Sequence, residues 1–377
     1  TGVGMTGVGI GSDADEGGVV PAILGQSVFD GGLEFPAMLV HRDALEHNVA
    51  TMAAFVRDHG MELAPHAKTH MSPEIAAMQL AAGAWGLTVA TLKQAKIVRG
   101  FGAGRVMVAN QVVDPAGLAW AAAELDRDPA FELLSFADSE AVIDILARNA
   151  GARPFRVLVE LGHEGGRAGC RSLERLLEVA AYAQRTPGVE LAGVAGYEGG
   201  LKSAEEVRIY LAALQEAVEY VRLKRPILTV GGSQWFDVIG RELVATQARI
   251  LLRSGAYVTH DDGFYRERTP FNRMEGELRP ALEVWAHVLS TPEPDLAIVG
   301  MGKRDAPYDE GLPIPRRGGV TILKMQDQHT VVRACGLKPG DLLAFGISHP
   351  CTAFDKWRVL PLVDRDYRVV GTIRTNF

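Results

Sequence analysis

Between residues 35 and 253 short apolar runs alternate with helical stretches every ~20–35 residues, and this rhythm restricts the fold more than any other feature. A strand followed by a helix before the next strand does not close as a hairpin, so the strands run parallel with helices laid over them. Strand-like runs fall at 35–41, 63–65, 85–89, 105–108, 133–136, 155–161, 191–195, 227–230 and 249–252. Helical periodicity fills 72–82, 92–99, 139–149, 173–184 and 204–222. The first helix is expected to be capped by Asp43, to carry its apolar side on Leu45, Val49, Met52, Ala53 and Val56, and to end at Gly60. With the run at 63–65 counted as the second strand, roughly eight strands fit this stretch, which suggests a (β/α)8 barrel. Counting alone leaves a doubly wound open sheet as an alternative.

Beyond about residue 270 helical periodicity gives way to apolar runs separated by turn residues, the texture of an all-β region. A chain of 377 residues exceeds the size at which one core stops growing, so a second domain is expected. The expected fold is α/β plus all-β: an α/β barrel over 35–270 and a β domain over 21–34 and 271–377. Residues 1–20, glycine-rich and acidic, read as a disordered arm without the basic start and apolar stretch of a secretory signal.

Net charge is −7 with the signs interspersed, so a nucleic-acid or anionic-membrane partner is not expected and a small polar substrate is. Cys170, Cys335 and Cys351 are too few and too dispersed for a disulfide framework, which points to a reducing cytosol. No apolar run is long enough to span a bilayer.

In a barrel, chemistry sits at the C-terminal ends of the strands. Pro65-His66-Ala67-Lys68-Thr69-His70 follows the second run and is a plausible address for a Schiff-base lysine, because desolvation and neighbouring charge make an amine nucleophilic. A solvated loop lysine fits the hexapeptide alone equally well. Gly231-Gly232-Ser233 follows the run at 227–230, where bare amides and a hydroxyl would cradle a phosphate, although a plain turn explains two glycines too. Arg167 lies in a glycine-rich bend, Tyr197 follows 191–195, and Arg253-Ser254-Gly255-Ala256-Tyr257 forms a further turn. His349-Pro350-Cys351 places imidazole and thiol at i and i+2, on one side of an extended segment. That N,S pair would suit zinc with positions left open for water and substrate, although from spacing alone a buried Cys351 beside a loop His349 is the default reading.

Together with Gly302-Lys303-Arg304-Asp305 and Asp327-Gln328-His329, these motifs occur in the order seen in one family. Over roughly residues 35 to 375 the chain resembles the fold-type III pyridoxal-phosphate enzymes of the D-serine dehydratase and D-threonine aldolase group, relatives of alanine racemase. The resemblance implies a barrel that carries pyridoxal 5'-phosphate, a β domain into which the N-terminal strand is built, and a homodimer with active sites between subunits. It implies Lys68 as the Schiff-base lysine and base at Cα, and Gly231, Gly232 and Ser233 on the phosphate with Tyr257 nearby. Arg167 and Tyr197 would line the cofactor ring, and His349 and Cys351 would hold Zn2+ or another divalent ion such as Mn2+. It further implies a lyase acting on small D-3-hydroxy amino acids.

A dehydratase expels the 3-hydroxyl and needs a Lewis acid on that oxygen, whereas an aldolase needs a base there. In the resembled family dehydratases have His-x-Cys and aldolases tend to have His-x-Asp, and the segment 196–203 holds no histidine to serve as that base. Dehydration to a 2-oxo acid and ammonia is therefore expected, with His66, His70 or His163 as stand-in bases should the chain be an aldolase. A pyridoxal-phosphate carrier would need neither the β domain nor the His-x-Cys pair, and a racemase would give a metal no task. Aromatics at Trp235, Phe236, Tyr308 and Phe354 suit a substrate pocket or a core equally.

Overall fold

The computed structural model describes residues 22–244 and 246–377, so the arm expected over residues 1–20 lies outside the described residues. Nine strands precede residue 253: β1 (Ala37–His41), β2 (Glu62–Leu63), β3 (Leu87–Val89), β4 (Arg105–Gln111), β5 (Glu132–Ala137), β6 (Phe155–Leu161), β7 (Val189–Gly196), β8 (Ile227–Val230) and β9 (Arg249–Leu252). Eight of them, β2 to β9, form one parallel sheet in the order β2-β9-β8-β7-β6-β5-β4-β3. Its outer strands meet: Trp85 N–H donates to Leu63 O at 2.7 Å and Thr88 N–H to Pro65 O at 2.9 Å, which closes the barrel. Met107, Leu134, Phe136, Leu158, Ile227 and Leu251 fill its interior. Charged residues at the strand starts join across its N-terminal mouth, Arg249 to Glu62 at 2.9 Å and Arg156 to Glu132 at 3.2 Å and to Glu190 at 3.1 Å. That end is sealed for stability, and the chemistry is left to the other.

β1 does not belong to the barrel. It pairs antiparallel with β10 (Leu282–Glu293), Ala37 opposite Trp285, and parallel with a later strand, Val40 opposite Leu362. Periodicity marks a strand but not its partner, and a strand ahead of the first βα unit is free to join whichever sheet buries both its faces. The helix that follows starts at Arg42 with His41 as its N-cap and no side-chain cap bond. Asp43 instead lies in the first turn, where its charge complements the helix dipole and pairs with Arg365.

Ser72, Ser139, Ser172 and Ser203 cap the helices at the expected places by accepting a backbone N–H three residues on. Helix Pro115–Arg127 was not legible from apolar contrast, because its buried side mixes two leucines with Ala121, Ala122 and the charged Glu124.

The second sheet has nine strands: β1, β10, β11 (Leu296–Val299), β12 (Ile314–Pro315), β13 (Thr321–Met325), β14 (Thr330–Arg333), β15 (Leu342–Gly346), β16 (Val359–Val363) and β17 (Val369–Arg374). Two backbone bonds fix it to the barrel mouth, Asp262 N–H to Ile347 O and Phe264 N–H to Ser348 O, each at 2.8 Å. Arg316 holds Asp262 through both carboxylate oxygens, at 2.6 and 2.7 Å. The turn Pro350–Thr352 thereby packs against the turn Ala67–Thr69 that carries Lys68. Among the described residues no helix is long and apolar enough to cross a membrane. The three cysteines are free thiols.

Candidate active site

A cavity of about 240 Å³ opens at the C-terminal ends of the barrel strands, with Lys68 on its wall. Burial lowers the pKa of the Lys68 amine, Arg167 and Arg253 lower it further, and Cys351 works the other way. The cavity also takes in His66, Arg167, Tyr197, Gly231, Gly232, Ser233 and Cys351, so residues from opposite ends of the chain share one space. The Arg167 guanidinium lies 4.6 Å from the centroid of the Tyr197 ring. Burial raises the Tyr197 pKa, which keeps its hydroxyl a donor.

Sequence reading noted Arg253 only as part of a turn, yet it contributes the most deeply buried cation of the wall, at 4% exposure. Its guanidinium donates to Thr229 Oγ1 at 2.9 Å and Gly196 O at 2.7 Å and lies 5.3 Å from the Phe136 ring centroid. Glu160 faces the same cavity, accepts from Gln111 Nε2 at 2.7 Å, and has its pKa raised by burial. Tyr265, Asn110 and Phe136 line it as well. None of these carries a local motif, since each is one side chain delivered by a different segment, Tyr265 by the short helix Phe264–Arg268 and the others at or near strand ends.

Tyr257 is not part of this cavity. It is 1% exposed and its hydroxyl accepts from Gln79 Nε2 at 2.9 Å. Gln79 Oε1 in turn accepts from His70 Nε2 at 3.2 Å, and His70 Nδ1 accepts from Ser72 N–H at 2.9 Å. In the short turn Ala256–Val258, Ala256 faces the cavity and Tyr257 points the other way, into the core. His70 is thus a satisfied core histidine, its pKa lowered to about 4 by burial, and is not available as a base. The glycine amides are also not bare: Gly231 N–H and Gly232 N–H both donate to Glu198, at 3.0 and 2.8 Å.

His349 and Cys351 come together, although not along an extended strand. His349 is extended, but Pro350–Thr352 is a tight helical turn that Pro350 initiates. His349 Nδ1 donates to Asp309 Oδ2 at 2.9 Å, and Thr352 Oγ1 donates to Asp309 Oδ1 at 3.2 Å. Burial works against a charged His349 ring, but the neighbouring Cys351 and Asp309 groups prevail and raise its pKa to about 9. Cys351 reaches the cavity wall, while the His349 ring packs behind it, 5.8 Å from the Tyr265 ring. Gly302 and Asp305 serve a turn of the β domain, where Asp305 Oδ2 accepts from Gly302 N–H at 2.8 Å and Gln328 Nε2 at 3.0 Å.

Trp235, Phe236 and Phe354 are buried, Tyr308 is 46% exposed, and none of the four lines the cavity. His163 faces a side cavity of about 320 Å³ that shares Arg167 and Tyr197 with the main one.

The donors suit pyridoxal phosphate: a desolvated amine for its aldehyde, guanidinium and phenol donors for its oxygens, and the Phe136 ring in the wall. Among the described residues no three or more His, Cys, Asp or Glu side chains gather as a metal-ligand set. His349 and Cys351 offer one nitrogen and one sulfur donor, fewer than the four of a closed structural zinc site.

Residues 40–239 match the alanine racemase N-terminal domain family, and residues 281–363 match the putative serine dehydratase domain. The chain is 29% identical over 322 residues to a D-threonine aldolase of Arthrobacter sp., covering 82% of this chain and 81% of that protein. It is 29% identical over 243 residues to a D-threo-3-hydroxyaspartate dehydratase of Delftia sp., covering 61% of this chain and 62% of that protein. The crystal structure of D-threonine aldolase from Filomicrobium marinum superposes with a TM-score of 0.81 at 25% identity, over 91% of this chain and 95% of that one. With a racemase-type barrel closed over Lys68 and a dehydratase-type β domain bringing Cys351 to the same cavity, the chain belongs to the alanine racemase N-terminal domain family of fold-type III pyridoxal-phosphate enzymes.

Proposed function

We propose that this protein is a pyridoxal-phosphate-dependent lyase of D-3-hydroxy amino acids that eliminates the 3-hydroxyl, giving a 2-oxo acid and ammonia. The observation that carries the reading is the meeting of Lys68 and Cys351 on one cavity wall, with His349, held by Asp309, two residues before Cys351. When bound, pyridoxal phosphate supplies an aldehyde for the substrate amine and an electron sink for charge at Cα. A divalent ion held by His349 and Cys351, with zinc favoured by the thiolate, would supply Lewis acidity at the Cβ oxygen.

Lys68 does the proton work. Burial and two guanidinia lower its pKa, against Cys351, and so favour the neutral amine that takes a proton at Cα. Arg167 and Arg253 neutralise anionic groups of cofactor and substrate inside the cavity. Glu160, with its raised pKa, is held against Gln111 and adds little opposing charge.

A second reading, aldol cleavage to glycine and an aldehyde, has support from two relatives and from His66. That ring lines the cavity, and burial followed by the Lys68 charge keeps it neutral, which leaves it able to take a hydroxyl proton. The metal-loaded protein is to be given D-serine, D-threonine and a D-phenylserine, with 2-oxo acid and aldehyde assayed separately. Oxo acid with ammonia is expected; aldehyde with glycine and no oxo acid would overturn dehydration. A homodimer is proposed as the working assembly, to be checked by light scattering.

A further inference from the structure

One carboxylate occupies the place where the sequence suggested an anion cradle. Gly231 N–H donates to Glu198 Oε2 at 3.0 Å and Gly232 N–H to Glu198 Oε1 at 2.8 Å, and Glu198 has no exposed surface. Gly231 has φ +117, and a Cβ on it would stand 2.5 Å from Leu252 Cδ1, so the loop takes this shape only with glycine. A Cβ on Gly232 would touch the Tyr197 ring at 3.4 Å. Glu198 therefore ties the segment behind β7, which carries Tyr197, to the segment behind β8, which carries Ser233. Tyr197 and Ser233 both line the cavity and Glu198 does not.

Each amide has one N–H, and both are already given to Glu198, so neither is left for a phosphate while Glu198 stays in place. The groups left for a phosphate nearby are Ser233 and the wall at Gly255 and Ala256. Arg253 sits under the same segments and favours a charged Glu198, although burial, the larger effect, raises the Glu198 pKa.

We propose that Glu198 is a positioning residue for the cofactor phosphate: it clamps the Gly231-Gly232 amides so that Ser233 is presented to the phosphate, and it stays on those amides when the cofactor is bound. This rests on the pyridoxal-phosphate assignment and is independent of the choice between dehydration and aldol cleavage.

The test compares two ligands on the full chain freed of cofactor: pyridoxal phosphate, and pyridoxal, which lacks the phosphate. Glu198→Gln keeps the shape but turns an NH2 group onto one of the two amides. The expected result is about a tenfold weaker Kd for pyridoxal phosphate, the size of one buried N–H losing its partner, with pyridoxal changed less than about twofold. Equal losses for both ligands would mean a general structural role and overturn the proposal. Tighter binding of pyridoxal phosphate would mean that the carboxylate merely competes for the phosphate seat, and overturns it too.

Ser233→Ala, a small change that does not disturb the clamp, provides a second arm should the Gln variant not fold. It is expected to lose affinity for pyridoxal phosphate selectively, and an unchanged Kd would refute the proposal. Failure of the unaltered chain to bind pyridoxal phosphate would instead refute the cofactor assignment.

Discussion

Removing the Tyr257 hydroxyl separates a core role from a cofactor role. Tyr257→Phe leaves the ring in place and takes away the acceptor of Gln79 Nε2, inside a chain that runs from Ser72 through His70 and Gln79. Gln79 is 2% exposed, so its amide sits where a lost partner is costly. An unsatisfied buried donor costs about 1–3 kcal/mol. At ~2.1 cal/mol/K per residue, unfolding a chain of this length carries an entropy of about 0.8 kcal/mol/K, so a loss of about 2 kcal/mol lowers Tm by roughly 2–3 °C. Scanning calorimetry on the cofactor-free chain is expected to show that shift. Titration with pyridoxal phosphate is expected to give a Kd within about twofold of the unaltered chain. A Kd weakened tenfold or more with an unchanged Tm would refute the reasoning and put the Tyr257 hydroxyl on the cofactor.

Two further outcomes follow from the same geometry. Asp309 orients His349 through Nδ1 at 2.9 Å, so Asp309→Asn is expected to weaken zinc binding by about 10–100-fold in a chelator competition while leaving the pyridoxal-phosphate Kd unchanged; unchanged zinc affinity would contradict the orienting role. His70 is held neutral with its pKa lowered to about 4 from the usual 6.5, so the stability it contributes is fully present above pH 6.5 and is lost as pH falls toward 4, by about 3 kcal/mol. Urea unfolding of the native chain and of His70→Gln across that window is expected to give a flatter pH dependence in the variant, and parallel curves would remove His70 as the cause.

The parts of the site that were legible are those written as local motifs. Lys68 in a Pro-stiffened hexapeptide and Cys351 two residues after His349 could be singled out because each pattern is complete within a few positions. Arg253 could not, since a lone arginine in a turn looks the same whether it faces solvent or the cavity. Tyr257 misled for the related reason that a turn does not say which of its side chains points inward. Ala256 lines the cavity, and its neighbour ends in the core against Gln79.

By itself the sequence determined most of the succession of strands and helices (helix Pro115–Arg127 excepted), the switch to an all-β texture after about residue 270, and the lysine and His-x-Cys motifs that suggest the chemistry. Each of these depends on residues within a turn or two of one another, and their spacing alone carries the information. Tertiary structure decided that β1 joins the second sheet, that Cys351 stands over the lysine turn, and that Glu198 holds the glycine amides expected for a phosphate. These pairings join residues tens to hundreds of positions apart. They are settled only when barrel closure and domain docking determine which buried polar groups can reach a partner.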